Sequence, residues 1–172
     1  GAGGRIAVRS ELEKLILYAT ASADLEPQAV TNITFEMVTA CSADAGQLSL
    51  DNLADAVASG DLADIDRFLQ LAFEQGIQPI GAIRCVNRRF AQLHFVVGLA
   101  QDGGSIEQLI AGLRPPIFFK YRRAFQRQTM LWPMLRIAQA LDILNEAEIA
   151  CKTTGMPSAE ICARALIRIG GA

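Results

Sequence analysis

From Leu131 to Ile169 apolar residues recur at helical intervals, and no other stretch limits the fold so tightly. Met134, Ile137, Leu141, Leu144, Ala147 and Cys151 lie three or four positions apart, the spacing of one stripe along a helix. Gly155 supplies a residue for the left-handed turn that ends such a helix, and Pro157 prevents its continuation. Ser158 is placed to cap a second helix with Ile161, Cys162, Ala165, Leu166 and Ile169 on its apolar face. The chain therefore closes on a helical hairpin, a unit that serves as bundle core in many unrelated proteins.

The same punctuation recurs upstream. Ser10-x-x-Glu13 reads as a capping box before a helix carrying Leu12, Leu15, Ile16 and Ala19. Thr34 is expected to cap a short helix, and the small polar stretch 42–47 to mark a division of the chain near residues 42–48. Ser49 then caps a helix with Leu50, Leu53, Ala54 and Val57 inward, and Gly60 ends it. Asp61 opens the next, with Ile65, Phe68, Leu69 and Ala72 inward. Pro79 suits the first position of a long helix running to about Ala100, with Ile83, Val86, Phe90, Leu93 and Val97 on its apolar side. Ser105-x-x-Gln108 is a further capping box, Pro115-Pro116 a rigid joint, and 119–129 a basic helix. No sustained β-branched alternation appears, so the fold class is all-α, a helical bundle of roughly seven to nine helices.

Hydrophobic residues make up 51% of the 172, enough for a sizeable core and high enough to suggest that some surface is covered by a partner. No apolar run reaches the roughly 18 residues of a membrane span, and no basic-then-apolar leader is visible, so no membrane partner is expected. The chain opens at Gly1 without a methionine, as a fragment or a processed form would. Cys41, Cys85, Cys151 and Cys162 form no C-x-x-C pair and sit among apolar neighbours, which reads as buried free thiols in a reducing cytoplasm rather than a zinc site.

Charge is unevenly spread. Residues 42–79 hold one arginine against seven acids, a balance of −6, while residues 80–136 hold nine basic residues against two acids, a balance of +7. Pairing of the two segments within the fold explains this most simply, and a basic face for nucleic acid or an acidic partner is the sharper alternative. Lys120, Arg122, Arg123 and Arg127, interleaved with Tyr121 and Phe125, are the candidate residues for that contact. Basic groups displace phosphate counterions and rings stack on bases, but on an amphipathic helix the rings would simply face the core.

Catalytic chemistry finds no home in this sequence. There is no G-x-x-x-x-G-K-(S/T) loop for phosphate. His94, the one histidine, reads as a structural residue without a nucleophile beside it. Asp64 with Asp66, and Glu146 with Glu148, are two apart on helices and point to different faces, so they read as solvated charges. No cofactor and no metal are expected. Trp132 reads as a core or interface anchor. If the chain docks on partners, the long helices after Pro79 and Trp132 offer second apolar faces, which makes Val96, Leu99, Trp132, Leu135, Arg136, Gln139 and Ile143 the interface candidates.

One stretch also carries a family resemblance. L-x-I-L-N-E-A-E-I-A-C-K-T-T-G over 141–155, followed by Pro157 and a closing apolar helix, resembles the end of bacterial clamp-loader delta subunits of DNA polymerase III. Ser10-Glu11-Leu12-Glu13-Lys14-Leu15, Leu50-Asp51-Asn52-Leu53 leading into Ser59-Gly60-Asp61, and Pro115-Pro116-Ile117-Phe118-Phe119-Lys120 fall in that family's order. The resemblance implies that residues 1–45 end the helical lid of an ATPase-type module, and that 46–172 form a collar domain. It implies a non-hydrolysing subunit whose collar assembles with gamma/tau-type and delta-prime-type subunits. The sliding clamp would be reached only through an N-terminal module absent from this chain, and DNA only in the full assembly. The alternative function is a free-standing helical module that binds nucleic acid through residues 114–127.

Overall fold

The computed structural model describes residues 35–171, with side chains from Gly46 onward. Every regular element among them is helical, as the absence of strand alternation requires. In chain order the α-helices are α1 (Phe35–Ser59), α2 (Leu62–Glu74), α3 (Pro79–Gln101), α4 (Ile106–Gly112), α5 (Arg122–Leu131), α6 (Met134–Lys152) and α7 (Ser158–Gly170), with a 3-10 turn at Phe119–Tyr121 leading into α5. The expected helix after Ser10 and the Thr34 cap lie outside the described residues. The chain divides into two compact units after Gln47, and the second, Leu48–Ala172, holds the end of α1 and all of α2 to α7.

Stretch 42–47 does not interrupt the helix, which runs unbroken from Phe35 to Ser59. Ser49 is therefore a buried residue inside α1, not its cap. Alanine is the commonest residue of α1, six of its 25, and no proline enters it, so helix propensity outweighs the single Gly46. Leu53, Ala54 and Val57 are buried, with Leu50 packed at their edge. Gly60 ends α1 at φ +75°, a conformation that favours glycine, and a Cβ there would lie 3.1 Å from the carbonyl oxygen of Gly170. Asp61 caps α2 as its position suggests, its Oδ1 accepting from the Asp64 amide at 3.0 Å. Two other serines differ from expectation. Ser105 holds the N-cap position of α4 without a side-chain bond, so that capping box does not close. At α7 the N-cap is Pro157, and Ser158 is already the first helical residue.

α3 and α6 form the axis of the unit. They run antiparallel with the Arg84 guanidinium on Glu148 at 2.9 Å, the Asn87 amide on Asn145 at 3.1 Å, and Gly98 opposite Met134. Ile83, Val86, Phe90, Leu93 and Val96 of α3 meet Ile137, Ala140, Leu144 and Ala147 of α6 in the core. Val97 is only partly buried, and Val96 takes the inward place given to it by the sequence pattern. On α6 the inward stripe passes through Ala140 rather than Leu141, which is half-buried on its flank. α6 is apolar on more than one side, so its sequence alone does not fix which side turns inward. On α7 all five expected residues, Ile161, Cys162, Ala165, Leu166 and Ile169, are buried.

Candidate interaction surface

α5 is held to the unit by what it buries. Tyr121, Phe125, Gln128 and Thr129 turn inward, and Trp132 follows them into the core. The Tyr121 hydroxyl donates to Asn52 Oδ1 at 2.6 Å. The Trp132 indole donates to the Ala58 carbonyl at 2.7 Å and meets Phe90 edge to face at 4.7 Å. Gln128, about 1% exposed, donates to Asp55 Oδ1 and to Ser59 Oγ, both at 2.9 Å. Arg89 of α3 completes the anchor. Its guanidinium lies 3.4 Å from both Asp55 Oδ1 and Gln128 Oε1, and beside the Tyr121 and Phe125 rings at 5.7 and 5.6 Å. Burial pulls the Arg89 pKa below its usual value, and Asp55 acts against that shift. Burial likewise raises Tyr121, with Asp51 adding to the effect. Among the described residues, no buried side-chain nitrogen or oxygen lacks a partner.

Part of the charge asymmetry is thus spent inside the fold, since Arg89 from the basic segment meets Asp55 from the acidic one. The outward side of α5 is different. Arg122, Arg123 and Arg127 are exposed, and none of them takes part in an ion pair among the described residues. Lys120 is exposed, with its ammonium 5.2 Å from the Tyr121 ring. It stands at the rim of a cleft of about 340 Å³ lined also by Asp55, Asp61 and Asp64. The four basic candidates are all exposed, with Lys120 and Arg127 lining different clefts, while the rings that interleave them in sequence, Tyr121 and Phe125, are in the core and cannot stack on bases.

The candidate docking residues scatter. Val96 and Trp132 are buried within the unit itself, because the apolar side of α3 is wider than one stripe and the indole has its acceptor at Ala58. Ile143 is partly buried, and Arg136 lies over the Trp132 ring at 4.9 Å. Leu99, Leu135 and Gln139 are exposed, Leu135 at 71%. The sequence reading missed Phe118 and Phe119, 52% and 74% exposed with ring centroids 4.6 Å apart, and Met130 and Leu131, 81% and 58% exposed. A signal for Met130 was present: Arg123, Arg127 and Met130 stand at i, i+4 and i+7, one face of a helix.

The other candidates make no reactive set. His94 is exposed on α3. Asp64 pairs with Arg67 at 2.7 Å, and Asp66 accepts from Gln70. Glu148 accepts from Lys152 at 2.8 Å and from Arg84, and these bonds hold its carboxyl below the usual range. Cys85 and Cys162 are buried free thiols and Cys151 is half-buried; burial raises all three, Cys162 to about 12. Among the described residues no cluster of His, Cys, Asp and Glu could hold a metal, and no helix is long and apolar enough to cross a membrane.

No family model matches the chain, and no solved structure matches it. Among curated proteins it is similar to one described as "Probable DNA polymerase III subunit delta" from Rickettsia prowazekii (strain Madrid E), at 24% identity over 150 residues. The aligned region covers 87% of this chain and 44% of that protein, so the chain spans less than half the length of its relative. An all-α bundle, distantly similar to a DNA polymerase III delta-type subunit over most of its length, is where sequence and structure meet.

Proposed function

We propose that this chain is the C-terminal part of a delta-type clamp-loader subunit and works by assembly, without catalysis of its own. Residues 46–172 act as the collar, which docks against the collars of gamma/tau-type and delta-prime-type subunits, and residues 1–45 belong to the end of the helical lid. In the cytoplasm the assembled loader would place the sliding clamp on DNA during replication, with clamp contact made by a module upstream of this chain. The observation that carries the reading is the similarity to a delta-type subunit across 150 residues. The helical architecture and the large apolar side chains left exposed on α3, α5 and α6 are in keeping with it.

The experiment is co-purification of the chain with the gamma/tau-type and delta-prime-type subunits encoded by the same genome, beside an ATPase assay of the chain alone. A stable complex with one of them and no ATP turnover is the expected result. Failure to associate with either at low salt, or ATP hydrolysis by the isolated chain, overturns the reading.

A further inference from the structure

We propose that the outward face of α5 is a protein-docking face, and that its occupant is a partner surface presenting carboxylates around an apolar side chain. The inference rests on the assembly reading above and assigns the docking to one face. Charge supplies the first argument. Between Glu107 and Asp142 the chain has no acidic residue and six basic ones. Of these, Arg122, Arg123 and Arg127 project from α5 with no ion pair to any described residue. Arg123 and Arg127, four apart on one side of α5, present guanidinium groups that carboxylates arriving from outside can engage through paired charge-assisted hydrogen bonds.

Shape supplies the second. Beside Arg127 lies a notch of about 370 Å³ between the end of α1 and α5, lined by Ser59, Ala124, Arg127, Gln128, Met130 and Leu131. That volume leaves room for a large apolar side chain of a partner. Its floor is fixed, because Gln128 is locked to Asp55 and Ser59 beneath it. Exposed Leu135 follows α5 in sequence across the Trp132–Pro133 joint, and the exposed Phe118–Phe119 pair precedes it. A recess lined by Met130 and Leu131 beside Arg127 joins the apolar, methionine and arginine groups that are enriched in protein interfaces, from which lysine and acids are depleted.

A nucleic acid fits the same face less well. Methionine and leucine at the notch give no stacking platform and the Phe125 ring of α5 faces the core, which leaves only the Phe118–Phe119 pair, outside the notch, to stack on bases.

The test uses the full chain with the gamma/tau-type and delta-prime-type subunits, added singly, with Kd measured by titration. The double variant Arg123→Glu/Arg127→Glu should weaken the strongest pairing on the order of 100-fold, and Leu131→Ser about 10-fold, with thermal unfolding unchanged. A control, Arg168→Glu on the exposed side of α7, should bind as the parent does. If the parent binds and the double variant binds equally well, this inference falls while the assembly reading stands. If the parent binds neither subunit, both fall. Two further results overturn the inference by naming another occupant. One is oligothymidylate binding that the double variant abolishes and that competes with the subunits. The other is a doubled mass of the chain alone that the double variant returns to monomer.

Discussion

Removing the carboxylate of Asp55 should destabilise this protein more than removing the arginine it faces. The side chains of Arg89 and Asp55 are about 6% and 24% exposed, and Oδ1 of Asp55 accepts from both Arg89 and Gln128. Asp55→Ala strands a guanidinium in the core between two rings and takes one acceptor from Gln128, which keeps Ser59. Loss of one partner from a buried pair costs about 3–5 kcal/mol, and partial solvent access at Asp55 places this case near 3. Arg89→Met leaves the carboxylate bonded to Gln128 and partly wet, while the new side chain still packs against Tyr121 and Phe125. Its cost should be about 1–2 kcal/mol, because a hydrogen bond is lost and the buried Gln128 Oε1 gives up its Arg89 donor. The double variant should then cost about 1–2 kcal/mol, well below the sum of the two. Urea unfolding followed by the fluorescence of Trp132, the one tryptophan, measures all three. On the thermal scale Asp55→Ala should lower Tm by roughly 6–12 °C. Equal costs for the two single variants, or additivity within about 0.5 kcal/mol, would refute the account of Arg89 as a charge held chiefly by Asp55, with Asp51 as the lesser support.

Two further outcomes rest on burial. Leu166→Ala on α7, fully buried, should cost about 2–5 kcal/mol in the same assay, whereas Leu141→Ala, on the flank of α6, should cost about 1; the reverse order would mean that α6 is turned about its axis. Cys162, pushed up to about 12 by burial, should resist iodoacetamide in the folded chain at pH 8 and react once the chain is unfolded in urea. Its folded value lies above that of an exposed thiol. The associated stability is therefore complete below about pH 9 and is lost as pH rises towards 12, so mapping of alkylated peptides and an alkaline unfolding series check the same thiol twice.

What the sequence made legible was set by how many signals agreed at a position. Pro79 opens α3 and Gly60 closes α1 because a missing amide and a left-handed turn each admit few residues. The face of α7 was legible because its large apolar residues gather on one side, with Ile167 alone among them outside. Serine proved ambiguous. Ser49, Ser105 and Ser158 are all small and polar, yet one is buried in a helix, one stands at an N-cap without bonding, and one begins a helix that proline precedes. Their roles depend on neighbours that local pattern does not report. The docking surface was hardest to read. Trp132 and Met130 are both large and apolar, but only the indole finds a carbonyl to donate to, at Ala58, 74 positions earlier. Distant partners of this kind decide which apolar residues of α5 and α6 remain outside.

The antiparallel match of α3 with α6 has a consequence for how the chain closes. Arg84 with Glu148, Asn87 with Asn145 and Gly98 opposite Met134 all have position numbers summing to 232, so the two helices meet like the halves of a zip fastener in fixed register. The span to be looped out shrinks from 64 residues at the Arg84 end to 36 at the Gly98 end. By loop-closure entropy that difference favours first contact at Gly98 and Met134 by about 0.5 kcal/mol. Pairing then advances towards Glu148, each step needing no new loop. Residues added between α3 and α6 would delay the first tooth slightly and leave the rest aligned. One residue added inside either helix would turn every later tooth by about 100°.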